Sequence, residues 1–253
     1  WWSQSTISPG GEAVACYNYF TPPYAPGSSS NYVCGCNNTA WAQVLRYFQH
    51  PIQAVGARSF QVKVDGITLM STLRGGDGQG GPYRWDRMPL VPEWGASEEE
   101  RQAIGALTSD LGIACRTEYG IGGSGGWLEE ATLKDVFQFT QAVYTKGFED
   151  FAERVNPNLD ARRPVVLGIS GEGGQHAVVC DGYGYNMRTL YHHLNLGWGG
   201  TADAWYNLPD VDTGWYLFTT NDAVVCNIYP TGGGQIVSGR YKPGQRLNES
   251  QLA

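Results

Sequence analysis

The segment from Gly35 to Pro51 is the feature that most constrains how this chain can fold. Apolar residues recur in it at the spacing of a helix with one buried face, namely Ala40, Val44, Leu45 and Phe48. Glycine permits a tight turn into the helix, and proline disfavours the α conformation in the residue before it. The sequence therefore predicts a packed helix that begins at Cys36 and stops at His50.

Cys36 is the first candidate functional residue. A thiol on the first turn of a helix feels the positive end of the helix dipole and the free N–H groups there, which favour the thiolate. The thiolate is the nucleophilic form of cysteine. An isolated cysteine is more often a buried small side chain or half of a disulfide, so a catalytic role requires a partner base.

A second segment supplies that base. Residues 164–169 form a short β-branched run that predicts a buried strand, and the glycines at 171, 173 and 174 predict a turn. His176 then begins a second strand, to Asp181, where its side chain can face a cleft. A lone histidine at a strand end is usually a hydrogen-bonded surface residue. A cysteine and a histidine distant in sequence and close in space are what thiol catalysis requires.

A third segment, residues 191–200, carries Asn195 and Trp198. The side-chain carbonyl of Asn195 can accept from the far ring nitrogen of His176 and hold the tautomer that takes a proton from sulfur. Trp198 can cover that hydrogen bond. Taken alone, this segment also fits a glycine-rich turn with a core tryptophan.

Together these segments resemble the streptopain-type cysteine peptidases, a bacterial branch of the papain-like fold. Residues 35–43 resemble the family's nucleophile helix, 174–182 its histidine strand and 193–200 its asparagine–tryptophan turn. Weaker matches are residues 83–85, 112–113 and the glycine run 119–126. The similarity covers about residues 2–230. It implies an α+β fold with a helical lobe, an antiparallel sheet lobe and an active site in the cleft between them.

The resemblance also implies roles for single residues. Cys36 would be the nucleophile and His176 the general base and acid, with Asn195 orienting the histidine and Trp198 shielding it. Gln4 would line the oxyanion hole with the Cys36 N–H. The expected substrate-binding residues are Gly122, Gly123, Ser124, Gly125 and Gln175.

One departure from the family concerns the residue at position 196. Leu196 stands where the family usually has tryptophan, so Trp198 is expected to shield His176 alone. Asn37 and Asn38 also replace the family's valine and alanine, in a first helical turn where polar side chains can satisfy backbone groups.

The resemblance implies a secreted, extracellular bacterial cysteine endopeptidase that works through a thioester. Its partners would be protein or peptide substrates and an inhibitory N-terminal propeptide, with the enzyme a monomer. Two alternatives are a thiol acyltransferase on the same fold and a catalytically silent binding or adhesion module. The rival nucleophile is Cys34, which lies outside the best reach of the helix dipole.

The other cysteines leave the disulfide pattern open. The six cysteines are Cys16, Cys34, Cys36, Cys115, Cys180 and Cys226. If Cys36 is the nucleophile, the remaining odd number allows at most two disulfides, and Cys16 with Cys34 is a plausible pair. Cys180 lies on the same strand face as His176, and we expect a packed core thiol there.

Composition and charge exclude several functions. The formal net charge of −7 disfavours a nucleic-acid partner, and without a run of about 18 apolar residues no membrane span is expected. Only 16% of the residues are charged, which is typical of an extracellular enzyme rich in turns and aromatic side chains. We expect no cofactor and no metal, because adjacent residues such as His192 and His193 point to opposite faces of a strand.

The order of elements predicts helices early and strands late. The expected elements are a hairpin over 60–69 around Asp65-Gly66, a helix from a Ser97–Glu100 capping box to Leu111, and helices over 127–137 and 148–159. Residues 1–230 are expected to form one peptidase domain, with 231–253 a linker, the start of a truncated following domain or a flexible terminus. Because the chain begins with Trp1, we expect a processed form whose leader and propeptide are absent.

Overall fold

A computed structural model of the chain describes residues 2–231. The fold is α+β, as predicted, with antiparallel strands dominating the second half of the chain. The helices are α1 (Cys36–Phe48), α2 (Glu98–Ala114), α3 (Glu130–Asp135) and α4 (Phe151–Asp160). The strands are β1 (Thr6–Ile7), β2 (Val14–Ala15), β3 (Ser59–Val64), β4 (Ile67–Thr72), β5 (Glu118–Gly120), β6 (Gly123–Gly125), β7 (Val143–Lys146), β8 (Val165–Gly171), β9 (Gly174–Asn186), β10 (Thr189–Asn195), β11 (Ala204–Tyr206), β12 (Val211–Asp212) and β13 (Leu217–Cys226).

The strands form three sheets. The largest is antiparallel throughout, in the order β11-β10-β9-β8-β13-β12, with β7 also paired to β13. A four-stranded sheet has the order β4-β3-β5-β6, with β3 and β5 parallel. β1 and β2 pair separately near the start of the chain.

α1 is the central helix of the fold. It packs against α2 on one side and against β9 on the other, which buries Trp41 and Leu45 completely. The helix begins at Cys36, as predicted, and ends at Phe48, where Gln49 adopts a left-handed conformation. α1 therefore presents its first residue directly to the large sheet.

The large sheet is buried on both faces. Side chains alternate along β9, so Ala177 and Val179 join the core around α1, whereas Val178 and Cys180 join a second core that includes residues of α4. This explains the apolar run over residues 165–169 of β8, because a strand segment covered on both faces needs apolar residues at every position.

Two of the predicted elements are confirmed closely. The β3–β4 hairpin turns at Asp65 and Gly66, whose φ angles of 49° and 78° fit a type I′ turn. The Ser97–Glu100 capping box is formed in both directions at the start of α2. The helix continues to Ala114, somewhat beyond the predicted end.

Two other helices are shorter than predicted. α3 covers only Glu130–Asp135. Trp127 lies outside it and packs by its ring edge on Tyr144, with ring centroids 5.9 Å apart. α4 begins at Phe151 rather than Phe148, because Asp150 adopts a left-handed conformation with φ 53° and interrupts the helix there. Phe148, outside the helix, stacks on Phe151 at 4.7 Å.

The prediction for residues 231–253 lies outside the described residues, apart from Thr231. Among residues 2–231, no helix combines the length and apolar character that crossing a bilayer would require.

Candidate active site

The nucleophile position is set by the turn before α1. Gly35 adopts φ 98° and ψ 151°, which few residues with a Cβ can occupy. A Cβ added at Gly35 would also lie only 2.6 Å from the carbonyl oxygen of Ser124. Glycine therefore lets the chain turn sharply into the helix while β6 lies against the turn.

Cys36 differs in exposure from the other five cysteines. It is half-buried, whereas the other five are buried, and all six are free thiols. The predicted Cys16–Cys34 disulfide is therefore wrong in this structure, and the prediction that Cys180 is a core thiol is confirmed. Burial raises the pKa of Cys34 to about 12. Of the two candidate nucleophiles, only Cys36 is accessible to a substrate.

The local surroundings act on the Cys36 thiol in opposite directions. Burial raises its pKa, while the N–H groups of Ala177, Asn37 and Cys36 itself lower it. The net shift is upward, so the thiolate preference expected from the helix start is outweighed by desolvation. Ala177, whose N–H acts on the sulfur in this way, directly follows His176 on β9.

His176 lies near the start of β9 and is 8% exposed. Its Nε2 lies 2.8 Å from the carbonyl oxygen of Leu196. Because a carbonyl can only accept, Nε2 carries the proton and the lone pair of the neutral ring is on Nδ1. Burial lowers the pKa of His176, with the Leu196 carbonyl opposing the shift. Both shifts favour the uncharged forms, a thiol on Cys36 and a neutral imidazole on His176.

Two aromatic rings cover the imidazole. The ring of Trp198 lies 4.9 Å from that of His176 at 33°, and the ring of Phe218 lies 5.8 Å away at 22°. The expectation that Trp198 shields the histidine alone is therefore wrong. Phe218 reaches the site because β13 pairs with β8, where it opposes Gly171 next to the β8–β9 turn.

The predicted hydrogen bond between Asn195 and His176 is not formed. The Oδ1 of Asn195 accepts from the Gly197 N–H at 3.0 Å, and the His176 hydrogen bond is made with the Leu196 carbonyl instead. The Gly197 N–H and the Leu196 carbonyl belong to the same peptide group. Asn195 thus orients the peptide that holds the imidazole, and its effect on His176 is indirect.

The segment before β1 is tied to both parts of the site. The Gln4 carbonyl accepts from the Cys34 N–H at 2.7 Å. Trp2 is buried, its indole N–H donates to the Pro89 carbonyl at 3.1 Å, and its own carbonyl accepts from Gly199 at 3.0 Å. The segment therefore bridges the start of α1 and the turn after β10. The Gln4 backbone is bonded to Cys34, two residues before Cys36.

The predicted substrate-binding residues lie on two elements. β6 contains Gly123, Ser124 and Gly125, pairs with β5 and contacts α1. A Cβ added at Gly122, Gly123 or Gly125 would meet nothing within 4 Å, so this surface is open. The hydroxyl of Ser124 is buried without a hydrogen-bond partner among the described residues. Gln175 is exposed on β9, next to His176.

The two histidines of β10 have separate partners. His192 pairs with Asn156 at 2.9 Å, and His193 pairs with Asp181 at 2.6 Å. Within residues 2–231, no group of three or more His, Cys, Asp or Glu side chains is arranged to hold a metal ion.

Comparison with known proteins identifies the family. The model of the Peptidase C10 family matches residues 12–206, which include Cys36, His176, Asn195 and Trp198. The chain belongs to the Peptidase C10 family. This is the family of streptopain-type cysteine peptidases that the sequence motifs indicated.

Relatives of this C10 chain support the assignment. Streptopain of Streptococcus pyogenes is 26% identical over 243 residues, covering 86% of this chain and 54% of the relative. The thiol protease/hemagglutinin PrtT of Porphyromonas gingivalis is 28% identical over 201 residues, covering 76% of this chain and 22% of the relative. The chain therefore spans about half the length of streptopain and less of PrtT.

A solved structure supports the papain-like fold of the C10 chain. The active wild-type interpain A cysteine protease of Prevotella intermedia superposes with a TM-score of 0.72 at 27% identity, covering 90% of this chain and 92% of that one. A prointerpain A fragment superposes with a TM-score of 0.67 at 26% identity, covering 91% and 72%.

Sequence reasoning missed two residues of this C10 site. Phe218 stacks on the imidazole, and Asp203 accepts from the Leu196 N–H at 2.8 Å. Phe218 has no local signal, since only strand pairing brings it near His176. Asp203 follows the glycine turn closely, and a carboxylate beside a tight turn could have been examined as a backbone acceptor.

Proposed function

We propose that this chain is the catalytic part of a secreted cysteine endopeptidase with a Cys36–His176 dyad. The observation that carries the proposal is the position of the Cys36 sulfur. The half-buried thiol at the start of α1 is close enough to the Ala177 N–H for that group to lower its pKa. Ala177 follows His176, whose Nε2 already donates to the Leu196 carbonyl. Nδ1 of His176 is then the ring atom available for the thiol proton.

Acylation begins from the neutral pair. Nδ1 of His176 takes the thiol proton as the sulfur attacks the peptide carbonyl carbon, and the oxygen becomes an anion. The N–H of Cys36 and the side-chain amide of Gln4 donate to that oxygen. The C–N bond then breaks, His176 gives its proton to the leaving amine, and a thioester to Cys36 remains.

Deacylation reverses these roles. His176 takes a proton from water, the oxygen of which attacks the thioester carbon. The carbonyl re-forms, the C–S bond breaks and the proton returns to sulfur. A peptide acid leaves and the free thiol is restored.

The substrate is proposed to be an extended peptide lying along residues 122–125. Open space over Gly122, Gly123 and Gly125 allows a backbone to approach closely, and backbone groups there can pair with it in β fashion. The exposed Gln175 is a candidate contact, whereas the buried Ser124 hydroxyl could reach the peptide only after a change of side-chain rotamer. A peptide bound there would have its scissile carbonyl near Cys36, because β6 contacts α1.

Secretion, an inhibitory N-terminal propeptide and a monomeric state belong to the same proposal. Secretion is supported by the relationship to streptopain and the propeptide by the likeness to a prointerpain A fragment.

The test is digestion of a peptide library by the wild type and by Cys36→Ala, His176→Ala and Cys34→Ala. Internal cleavage is expected with the wild type and Cys34→Ala, and near-complete loss with the two dyad variants, because both groups serve one step. A thiol-directed epoxide should add once, at Cys36. Substantial cleavage by folded Cys36→Ala would contradict the proposal, and ligated products without hydrolysis would indicate acyl transfer.

A further inference from the structure

Asp203 lies between the glycine turn after β10 and the start of β11. Its Oδ1 accepts from the Leu196 N–H at 2.8 Å. Its Oδ2 is buried and has no hydrogen-bond partner among the described residues. Burial raises the pKa of Asp203 to about 6, while the Leu196 N–H and the charge of His193 oppose the shift. This carboxyl group is thus partly desolvated, and its one side-chain hydrogen bond among the described residues is to the Leu196 N–H.

Leu196 connects this contact to the dyad. Its N–H is held by Asp203, and its carbonyl holds Nε2 of His176 at 2.8 Å. The peptide between Leu196 and Gly197 is held in turn by Asn195. Two side chains therefore hold the consecutive peptide groups on either side of the Leu196 Cα. The direction of the Leu196 carbonyl depends on both, because rotation of either peptide turns the carbonyl away from Nε2.

Charged groups surround the Asp203 side of this arrangement. Burial lowers the pKa of His193, but the charge and hydrogen bond of Asp181 and the charge of Asp203 outweigh it, so the pKa is raised. His193 Nδ1 lies 2.6 Å from Asp181. A positive imidazolium near Asp203 favours its ionised form, and an ionised acceptor makes the stronger hydrogen bond to an N–H.

We propose that Asp203 is a positioning residue for His176, acting through the backbone of Leu196. It holds the Leu196 carbonyl on Nε2, which fixes the ring orientation and leaves the Nδ1 lone pair for the Cys36 thiol. This inference rests on the proposed dyad. No hydrogen bond joins Asp203 to Cys36 or to residues 122–125. Its effect is therefore on His176.

Three variants test the proposal. Asp203→Asn keeps an oxygen that can accept from the Leu196 N–H, whereas Asp203→Ala removes it. The control is Asp77→Ala, which removes another carboxylate that accepts from backbone N–H groups, those of Gln79 and Gly81 at 2.8 Å. Asp203→Ala is expected to lower kcat on a peptide substrate roughly 10- to 100-fold, the scale for a misplaced catalytic group, with KM nearly unchanged. Asp203→Asn and Asp77→Ala should stay within about threefold of wild type.

A second measurement does not depend on peptidase activity. The imidazole Nε2–H of His176 can be followed by ¹⁵N-edited NMR, because a hydrogen-bonded ring proton exchanges slowly with water. Slow exchange is expected in the wild type and Asp203→Asn, and fast exchange in Asp203→Ala. If the wild type cleaves no peptide, the proposed function fails, and the exchange rates still decide whether Asp203 holds the ring.

Several results would overturn the proposal. The first is an unchanged kcat together with slow ring-proton exchange in Asp203→Ala. The second is an equal loss of kcat in Asp203→Asn and Asp203→Ala. The third is a fall in kcat/KM that comes entirely from a higher KM. If Asp203→Ala does not fold, Asp203→Ser takes its place, because the shorter side chain withdraws the acceptor from the Leu196 N–H. Wild-type kcat and slow exchange in folded Asp203→Ser would equally refute the role.

Discussion

Gly35→Ala would test whether the turn before α1 positions Cys36 relative to residues 122–125, the expected peptide-binding segment. The backbone at Gly35, with φ 98° and ψ 151°, lies where side chains with a Cβ are strained. An added Cβ would lie 2.6 Å from the Ser124 carbonyl oxygen, against an ordinary contact distance of 3.4 Å. The Cβ is fixed by the backbone and its partner is a backbone oxygen, so no flexible side chain can absorb the overlap.

The substitution should lower both the stability of the protein and its kcat/KM. The strained backbone should lower the free energy of unfolding by roughly 1–3 kcal/mol. Relief of the contact requires β6 and the start of α1 to move apart by about 0.8 Å, the difference between those two distances. A displacement on the order of 1 Å near a reacting group can cost about 100-fold in rate, so kcat/KM should fall roughly 10- to 100-fold.

Gly147→Ala is the matched control. Gly147 also has a positive φ, 82°, but a Cβ there would meet nothing within 4 Å, and the residue lies outside the elements that carry the dyad. It should lose roughly 1–2 kcal/mol of stability from backbone strain and keep wild-type kcat/KM per folded molecule. Urea unfolding and peptide hydrolysis measure both quantities. If Gly35→Ala loses only as much stability as Gly147→Ala and keeps full activity, the contact with Ser124 does not position the nucleophile.

Three further predictions concern the base and the oxyanion. Leu196 is fully buried, so Leu196→Ala should cost about 2–5 kcal/mol of stability but keep its carbonyl on His176, whereas Trp198→Ala should lower kcat more. Calorimetry with kcat per folded molecule separates the two, and an equal fall in kcat would show that the turn acts only through packing. Gln4→Ala should lower kcat roughly 100-fold with little change in KM, the usual loss for one oxyanion donor, and steady-state kinetics showing an unchanged kcat would exclude that role. Because burial lowers the pKa of His176, the acidic limb of kcat/KM should lie below the ordinary value of 6.5 and move to higher pH when Trp198→Ala admits water; a limb that does not move would contradict the shielding.

The buried position of Leu196 determines how a tryptophan would be accommodated there. A tryptophan, as in the family, at 196 would be tolerated if the position lined the cleft. With the leucine fully enclosed in the core that contains α4 residues, Leu196→Trp would overpack this core, which typically costs about 1–3 kcal/mol.

Local sequence signals were sufficient for much of this fold. α1, the β3–β4 hairpin and the α2 capping box each depend on residues within a few positions of one another, so their patterns predicted them closely. The candidate dyad was also accessible from sequence, because the chemistry needs particular residue types and the motifs around Cys36 and His176 are specific. The starts of α3 and α4 were not, since Trp127 packs on Tyr144 outside α3 and the left-handed backbone of Asp150 delays the start of α4.

Only the tertiary structure decided how the base is held. The sequence suggested a direct contact from Asn195 to His176, but the fold interposes the Leu196 carbonyl and adds Phe218 and Asp203. Strand pairing and turn geometry determine which atoms meet, and these arise from contacts between residues far apart in the chain. Desolvation likewise depends on the whole core, which is why the thiolate preference read from the start of α1 is reversed by burial of Cys36.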